Sequence, residues 1–147
     1  MQPQQSLVVS DSQTVNSRQL SNVQLIVKIL QWNVQGLKGK LHLLEEYVLK
    51  NNISIILVQE TLMNEGKKAK ISGFKHYQEN RKEGTRGMSI YISSKLKHSY
   101  MGYNINETGC VETQKIEVTV GGLTYVIINM YAHSNKEVRD IGLNEIF

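Results

Sequence analysis

Leu25-Ile26-Val27-Lys28-Ile29-Leu30-Gln31-Trp32 runs into Asn33-Val34-Gln35-Gly36-Leu37, and the reading of this stretch decides the fold. Up to Trp32 it is largely apolar with one charge, Lys28, which is the pattern of a buried strand. Asn33 to Gly36 breaks the run. Leu37, Leu41, Leu44 and Val48 then recur at spacings of four, three and four, one face of an α-helix. Lys40, Glu46 and Lys50 fall mostly on other faces, and Asn51-Asn52 closes the helix. Ile53 to Val58 is apolar apart from Ser54, a density that suits a strand covered on both sides. Strand, helix and strand within roughly 35 residues make a βαβ unit.

Downstream the pattern changes. Lys67 to Lys70 is a charged loop, and short strands are predicted at 74–78, 88–93 and 98–103. Longer ones follow at 111–120 and 123–131. In the first of these, Val111, Thr113, Lys115, Glu117 and Thr119 alternate with Glu112, Gln114, Ile116, Val118 and Val120. Gly121-Gly122 between the two is a hairpin turn, because glycine tolerates positive φ. An antiparallel meander thus follows the βαβ start. The class is α/β (α+β): a mixed β-sheet with flanking helices, gathered on one face. A short amphipathic helix is possible over 135–147, on Val138, Ile141 and Leu143 to Ile146. Upstream, residues 1–24 are rich in Gln, Ser and Asn, carry Pro3, and have only Asp11 and Arg18 as charges. That composition predicts a disordered leader, with the folded domain over 25–147.

The length of 147 residues, with 40% hydrophobic and 20% charged side chains, fits a single globular domain. Seventeen Lys and Arg against thirteen Asp and Glu leave +4, which permits a phosphate-rich partner without demanding one. The charge is uneven. Residues 67–97 hold nine basic side chains against Glu79 and Glu83, while the rest of the chain is net acidic. Cys110 is the only cysteine, which excludes a disulfide framework and a multi-cysteine zinc site. No apolar run approaches the ~18 residues of a membrane span. Leu7-Val8-Val9 falls far short of a signal-peptide core of ~7–15 residues. An intracellular protein is expected, nuclear if it acts on chromosomal DNA.

Three places combine a strand end with a polar residue that lacks an obvious structural duty. They are Trp32-Asn33 before Gly36-Leu37, Gln59-Glu60-Thr61, and Asn129-Met130-Tyr131-Ala132-His133. Ligand-binding groups gather at the C-terminal ends of strands in α/β sheets. Each place also has a plain structural reading: Asn33 as a cap, Glu60 in a solvated loop, Tyr131 as a core aromatic with a wet hydroxyl. As an ordered set they point to a site.

In that order, Gln31-Trp32-Asn33-Val34-Gln35-Gly36-Leu37, Val58-Gln59-Glu60-Thr61 and Asn129-Met130-Tyr131-Ala132 resemble the endonuclease/exonuclease/phosphatase superfamily. Deoxyribonuclease I, apurinic-site endonucleases and inositol-phosphate phosphatases are members. The resemblance is closer to the apurinic-type endonuclease domain of non-LTR (LINE-type) retrotransposons, which begins WNxxGL and continues with a helix and QET. Gly73-Phe74, Asn80-Arg81-Lys82-Glu83-Gly84, and Gly87 before Ile90-Tyr91-Ile92 fit the same group. The resemblance covers roughly residues 25–135. It implies the first half of a four-layer α/β sandwich of the deoxyribonuclease I type, with two sheets face to face and helices outside. A first half alone implies an uncovered inner sheet face, hence self-association through an exposed apolar patch.

The resemblance also implies roles. Glu60 would bind Mg²⁺ (or Mn²⁺), with Asn33 beside it on metal-bound water or phosphate, and the Tyr131 hydroxyl would face the scissile phosphate. Mg²⁺ chemistry agrees, since the ion prefers oxygen ligands and takes only one or two protein carboxylates beside waters and phosphate. Arg81, Lys82 and Arg86, in the basic segment between the motifs, are the expected contacts to the DNA backbone. The family's later Asp-x-Asn and Ser-Asp-His motifs do not occur in this sequence. His133 stands where proline is usual, and is read there as a loop residue. Three functions compete: a Mg²⁺-dependent DNA endonuclease incomplete in this chain, a non-catalytic nucleic-acid-binding remnant, and a phosphatase of the same superfamily. The WNxxGL start and the loop from Asn80 to Gly87, which fits the retrotransposon group, argue weakly against the last.

Overall fold

The computed structural model describes residues 7–10, 26–80, 86–107 and 109–133. In chain order these form β1 (Leu7–Ser10), β2 (Ile26–Asn33), α1 (Leu41–Asn51), β3 (Ile55–Gln59), β4 (Phe74–Glu79), β5 (Met88–Ser93), β6 (Lys97–Ile105), β7 (Val111–Val120) and β8 (Leu123–Ala132). The βαβ unit is present: β2 and β3 pair in parallel, with Ile29 opposite Ile55 and Asn33 opposite Gln59. Helix α1 begins at Leu41, one turn later than the spacing predicts. Gln35 and Gly36 take left-handed backbone (φ 46° and 101°) and turn the chain first, so Leu37 is a fully buried plug ahead of the helix. Leu44 and Val48 face the core, and Asn52 closes the helix in the left-handed conformation that asparagine tolerates.

The strands divide between two sheets, ordered β1-β2-β3-β5-β4 and β6-β7-β8. Two sheets are what the family resemblance implies, whereas the meander pattern by itself does not assign its strands to a second one. The cause of the division lies in β3 and β5, which are apolar on both faces and so need two covers. On one face, Leu30, Ile56, Val58 and Tyr91 pack under α1 and the segment carrying Met63, Ala69 and Ile71. On the other, Val27, Ile29, Ile55, Leu57, Ile90 and Ile92 meet Ile116, Val118 and Val120 of the second sheet. Each of these side chains contributes roughly 1.5–3 kcal/mol on burial, enough to pull the meander into its own layer. The inner face expected to lie bare is therefore covered from within the same chain. The turn Gly121-Gly122 has φ of 58° and 83°, as a two-residue hairpin loop requires.

One element falls where composition predicts none. Residues 7–10, inside the expected leader, pair antiparallel with β2 from Leu7↔Ile29 to Ser10↔Ile26. They satisfy an edge that would otherwise present unpaired backbone groups. The other residues of 1–24 and the helix considered over 135–147 lie outside the described residues, as do Arg81 and Lys82. No described helix is long and apolar enough to cross a membrane.

Candidate active site at the strand ends

Because Asn33 sits opposite Gln59 in the parallel pair, Asn33 and Glu60 leave the first sheet side by side. Asn33 Nδ2 donates to Glu60 Oε1 at 3.0 Å. Tyr131, near the end of β8 in the other sheet, donates its hydroxyl to the same oxygen. The three residues singled out in sequence thus converge on one carboxylate oxygen. Among the described residues nothing hydrogen-bonds to Glu60 Oε2, and Asn33 Oδ1 is buried without a hydrogen-bond partner.

The backbone around this point is held from both sides. Gly36 N–H donates to the Glu60 carbonyl at 2.9 Å and Leu37 N–H to that of Thr61 at 2.9 Å. From the other side, Thr61 N–H donates to Gly87 at 3.1 Å and Leu62 N–H to Arg86 at 2.7 Å. Glu60, Leu62 and Arg86 all have left-handed backbone, with φ of 53°, 50° and 60°. Such conformations cost on the order of 1–3 kcal/mol each and persist only where neighbours fix them. Gly87 (φ 91°) has no alternative. A β-carbon there would lie 2.5 Å from Thr61 Oγ1 and 3.1 Å from the Glu79 carbonyl.

The Tyr131 phenol is pushed up to about 12. Burial is the main cause, reinforced by the hydrogen bond and charge of Glu60, opposed by Arg86, and raised slightly by Glu112. It is a neutral hydrogen-bond donor at physiological pH. Arg86, the one expected backbone contact among the described residues, is exposed and close enough to Tyr131 for its charge to be felt. Lys67, Lys68, Lys70 and Lys75 line a groove beside β4, together with Tyr77 and Asn80.

Behind the site lies a polar layer that sequence reasoning did not find. Asn129, 1% exposed, donates to the Val58 carbonyl (3.2 Å), the Ser89 carbonyl (3.3 Å) and Gln114 Oε1 (3.2 Å), and accepts from Gln59. Glu112 is fully buried, accepting from Tyr103 at 2.8 Å and lying 3.0 Å from His133 Nε2. His133, read as a loop residue, is nearly buried and anchored through its backbone N–H to the Cys110 carbonyl at 2.8 Å. The available signal was in β7. Glu112 and Gln114 occupy the same alternate row as Ile116, Val118 and Val120, so they had to face inward.

Residues 30–142 match the model of the Endonuclease/Exonuclease/phosphatase family. The chain belongs to that family. Asn33, Glu60 and Tyr131 all lie inside the matched stretch. Over 99 residues, 65% of this chain, it is 25% identical to the probable RNA-directed DNA polymerase from transposon BS of Drosophila melanogaster, and spans 11% of that protein. Among solved structures, TDP2 from Caenorhabditis elegans is similar with a TM-score of 0.55 at 24% identity, over 76% of this chain and 36% of that one. A humanized D. rerio TDP2 gives 0.54 at 15% identity, over 75% and 49%. These likenesses bear on the fold, the two-sheet α/β architecture of the family. The chain spans about a tenth of the transposon protein and less than half of either solved relative.

Proposed function

We propose that this chain carries the first part of a retrotransposon-type DNA endonuclease site that works with Mg²⁺ or Mn²⁺. One observation carries the reading: two donors from different sheets occupy the same oxygen of Glu60. That arrangement orients the second carboxylate oxygen, while the buried Asn33 Oδ1 stays without a hydrogen-bond partner. An oxygen-only donor set with a single carboxylate fits a hard divalent ion that keeps waters and phosphate oxygens as its other ligands. Among the described residues no group of three His, Cys, Asp or Glu could hold a metal, which argues against a dedicated protein cage. Glu60 and Asn33 would hold the ion. When bound, it polarises a phosphoryl oxygen and stabilises charge on the leaving oxygen. The neutral Tyr131 hydroxyl supplies a hydrogen bond to the same developing charge. Arg86, Arg81 and Lys82, with the lysines beside β4, would meet the phosphate backbone. The match to a transposon RNA-directed DNA polymerase supports DNA as substrate, and a site acting on chromosomal DNA would work in the nucleus.

A second reading has its own support. The sequence holds neither an Asp-x-Asn nor a Ser-Asp-His motif, so a water-orienting acid and a His/Asp pair are missing from the family pattern. A chain in that condition binds nucleic acid without cutting it. Plasmid nicking in Mg²⁺ separates the two. Nicking by the wild type that Glu60→Ala abolishes establishes the nuclease. Equal inertness of both proteins, with salt-sensitive DNA binding retained, leaves the binding remnant.

A further inference from the structure

We infer that the buried Glu112–His133 pair is a positioning device for Tyr131, holding its ring so that the hydroxyl stays on Glu60. The inference rests on reading Glu60 as a metal ligand. Glu112 on β7 lies directly opposite Tyr131 on β8, on the face turned toward the first sheet. His133 follows Tyr131 by two residues, and its ring meets the Tyr131 ring edge-on, centroids 4.5 Å apart at 83°. Glu112 Oε1 and His133 Nε2 lie 3.0 Å apart, so a single hydrogen bond ties the carboxyl group to the imidazole. That bond holds the imidazole at Nε2, and the tie from the His133 backbone N–H to the Cys110 carbonyl holds the backbone that carries it. Tyr103 fixes Glu112 from its other oxygen. The imidazole therefore forms a rigid wall against the phenol ring, and an edge-to-face contact of this kind is favourable beyond area burial. Packing alone does not require a buried carboxylate here. A polar group at 0% exposure is costly unless its partners are fixed, and Glu112 is held by Tyr103 and by His133, whose ring abuts Tyr131.

The test is a double-mutant cycle read as Mn²⁺ affinity by calorimetry on the 147-residue chain, with no activity needed. Tyr131→Phe is expected to weaken Mn²⁺ roughly tenfold, the lower end of what outer-shell partners of metal ligands contribute. His133→Gln is expected to weaken it about fivefold when Tyr131 is present, and to have no further effect in the Tyr131→Phe background. The Tyr131 hydroxyl proton, assigned by its loss in Tyr131→Phe, should be visible by NMR in the wild type and lost in His133→Gln. Glu112→Gln keeps the shape and is the second variant, expected to act in the same direction and again only through Tyr131. An effect that persists unchanged in the Tyr131→Phe background, or no effect when Tyr131 is present, overturns the inference. Glu60→Ala is the separate control: undiminished Mn²⁺ binding there overturns the metal reading itself, whatever the cycle shows.

Discussion

The space between the two sheets has two ends of opposite character. At the end away from the site, Val27, Ile29, Ile55 and Ile92 meet Ile116, Val118 and Val120 in a dry apolar layer. Toward the site the same inward rows become Gln31, Gln59, Glu112, Gln114, Asn129 and Tyr131, and the hydrogen bonds of Asn129 to Gln59, Val58 and Ser89 and of Tyr131 to Glu60 cross between the sheets. Apolar packing is non-directional and fixes how closely the layers approach. Hydrogen bonds have direction, and an unmade one is expensive when buried, so the polar end fixes the register of β8 over β3. The site therefore inherits its geometry from the polar end, while the apolar end supplies adhesion.

Asn129→Leu should reveal that division most strongly. It strands the Val58 and Ser89 carbonyls and two glutamine side chains in a buried layer, and should cost about 4 kcal/mol in urea unfolding. Ile116→Ala, in the dry layer, should cost about 3 kcal/mol through its cavity. The two should also differ in kind. Asn129→Leu should abolish Mn²⁺ binding in protein that remains folded, because Tyr131 two residues away loses its register, whereas Ile116→Ala should leave the affinity unchanged. Equal effects on affinity would show that the apolar end positions the site as much as the polar end does.

The same contrast explains what the sequence made legible. Apolar density placed β2, β3, β7, β8 and α1 within a few residues of where they lie, because burial is written directly in residue type. The ordered motifs also brought out Asn33, Glu60 and Tyr131, which do meet at one oxygen. Which strands form the second sheet was not legible in the residue pattern, since that β7 covers the apolar face of β3 and β5 shows only once the layers are assembled. The polar layer was hidden for a related reason. Glu112 and Gln114 alternate with Val111 and Thr113 as solvent-facing residues would, and only the second half of β7 shows which row is inward. Strand β1 was masked by its polar surroundings.

Gly87→Ala should break the clamp on the loop without touching either end of the layer. The new methyl would fall 2.5 Å from Thr61 Oγ1 and force an alanine into φ 91°. A loss of roughly 2 kcal/mol is expected from the strain and the displaced contact. Thr61→Ala in the same chain removes the closest atom and should restore part of that loss, but not the backbone share. Full restoration would mean that the contact with Thr61, and not the left-handed backbone, is what requires glycine there.

The smallest effect lies on the outer face of the first sheet, where one titratable ring is half-buried beside the lysine groove. His76 stacks on Tyr91 with centroids 4.0 Å apart at 7°, and its Nε2 is 3.1 Å from Ser89 Oγ. Burial, helped by the charge of Lys68, lowers it from the ordinary 6.5 to about 4. The unfolded chain therefore binds this proton more readily, and the stability gained from a neutral His76 is present above pH 6.5 and falls away as the pH drops toward 4. His76→Phe keeps the stack and removes the titration, so its urea midpoint should decline less than that of the wild type across this window. Parallel decline in the two proteins would show that the acid sensitivity comes from other groups, and would move the pH dependence away from the His76–Tyr91 stack.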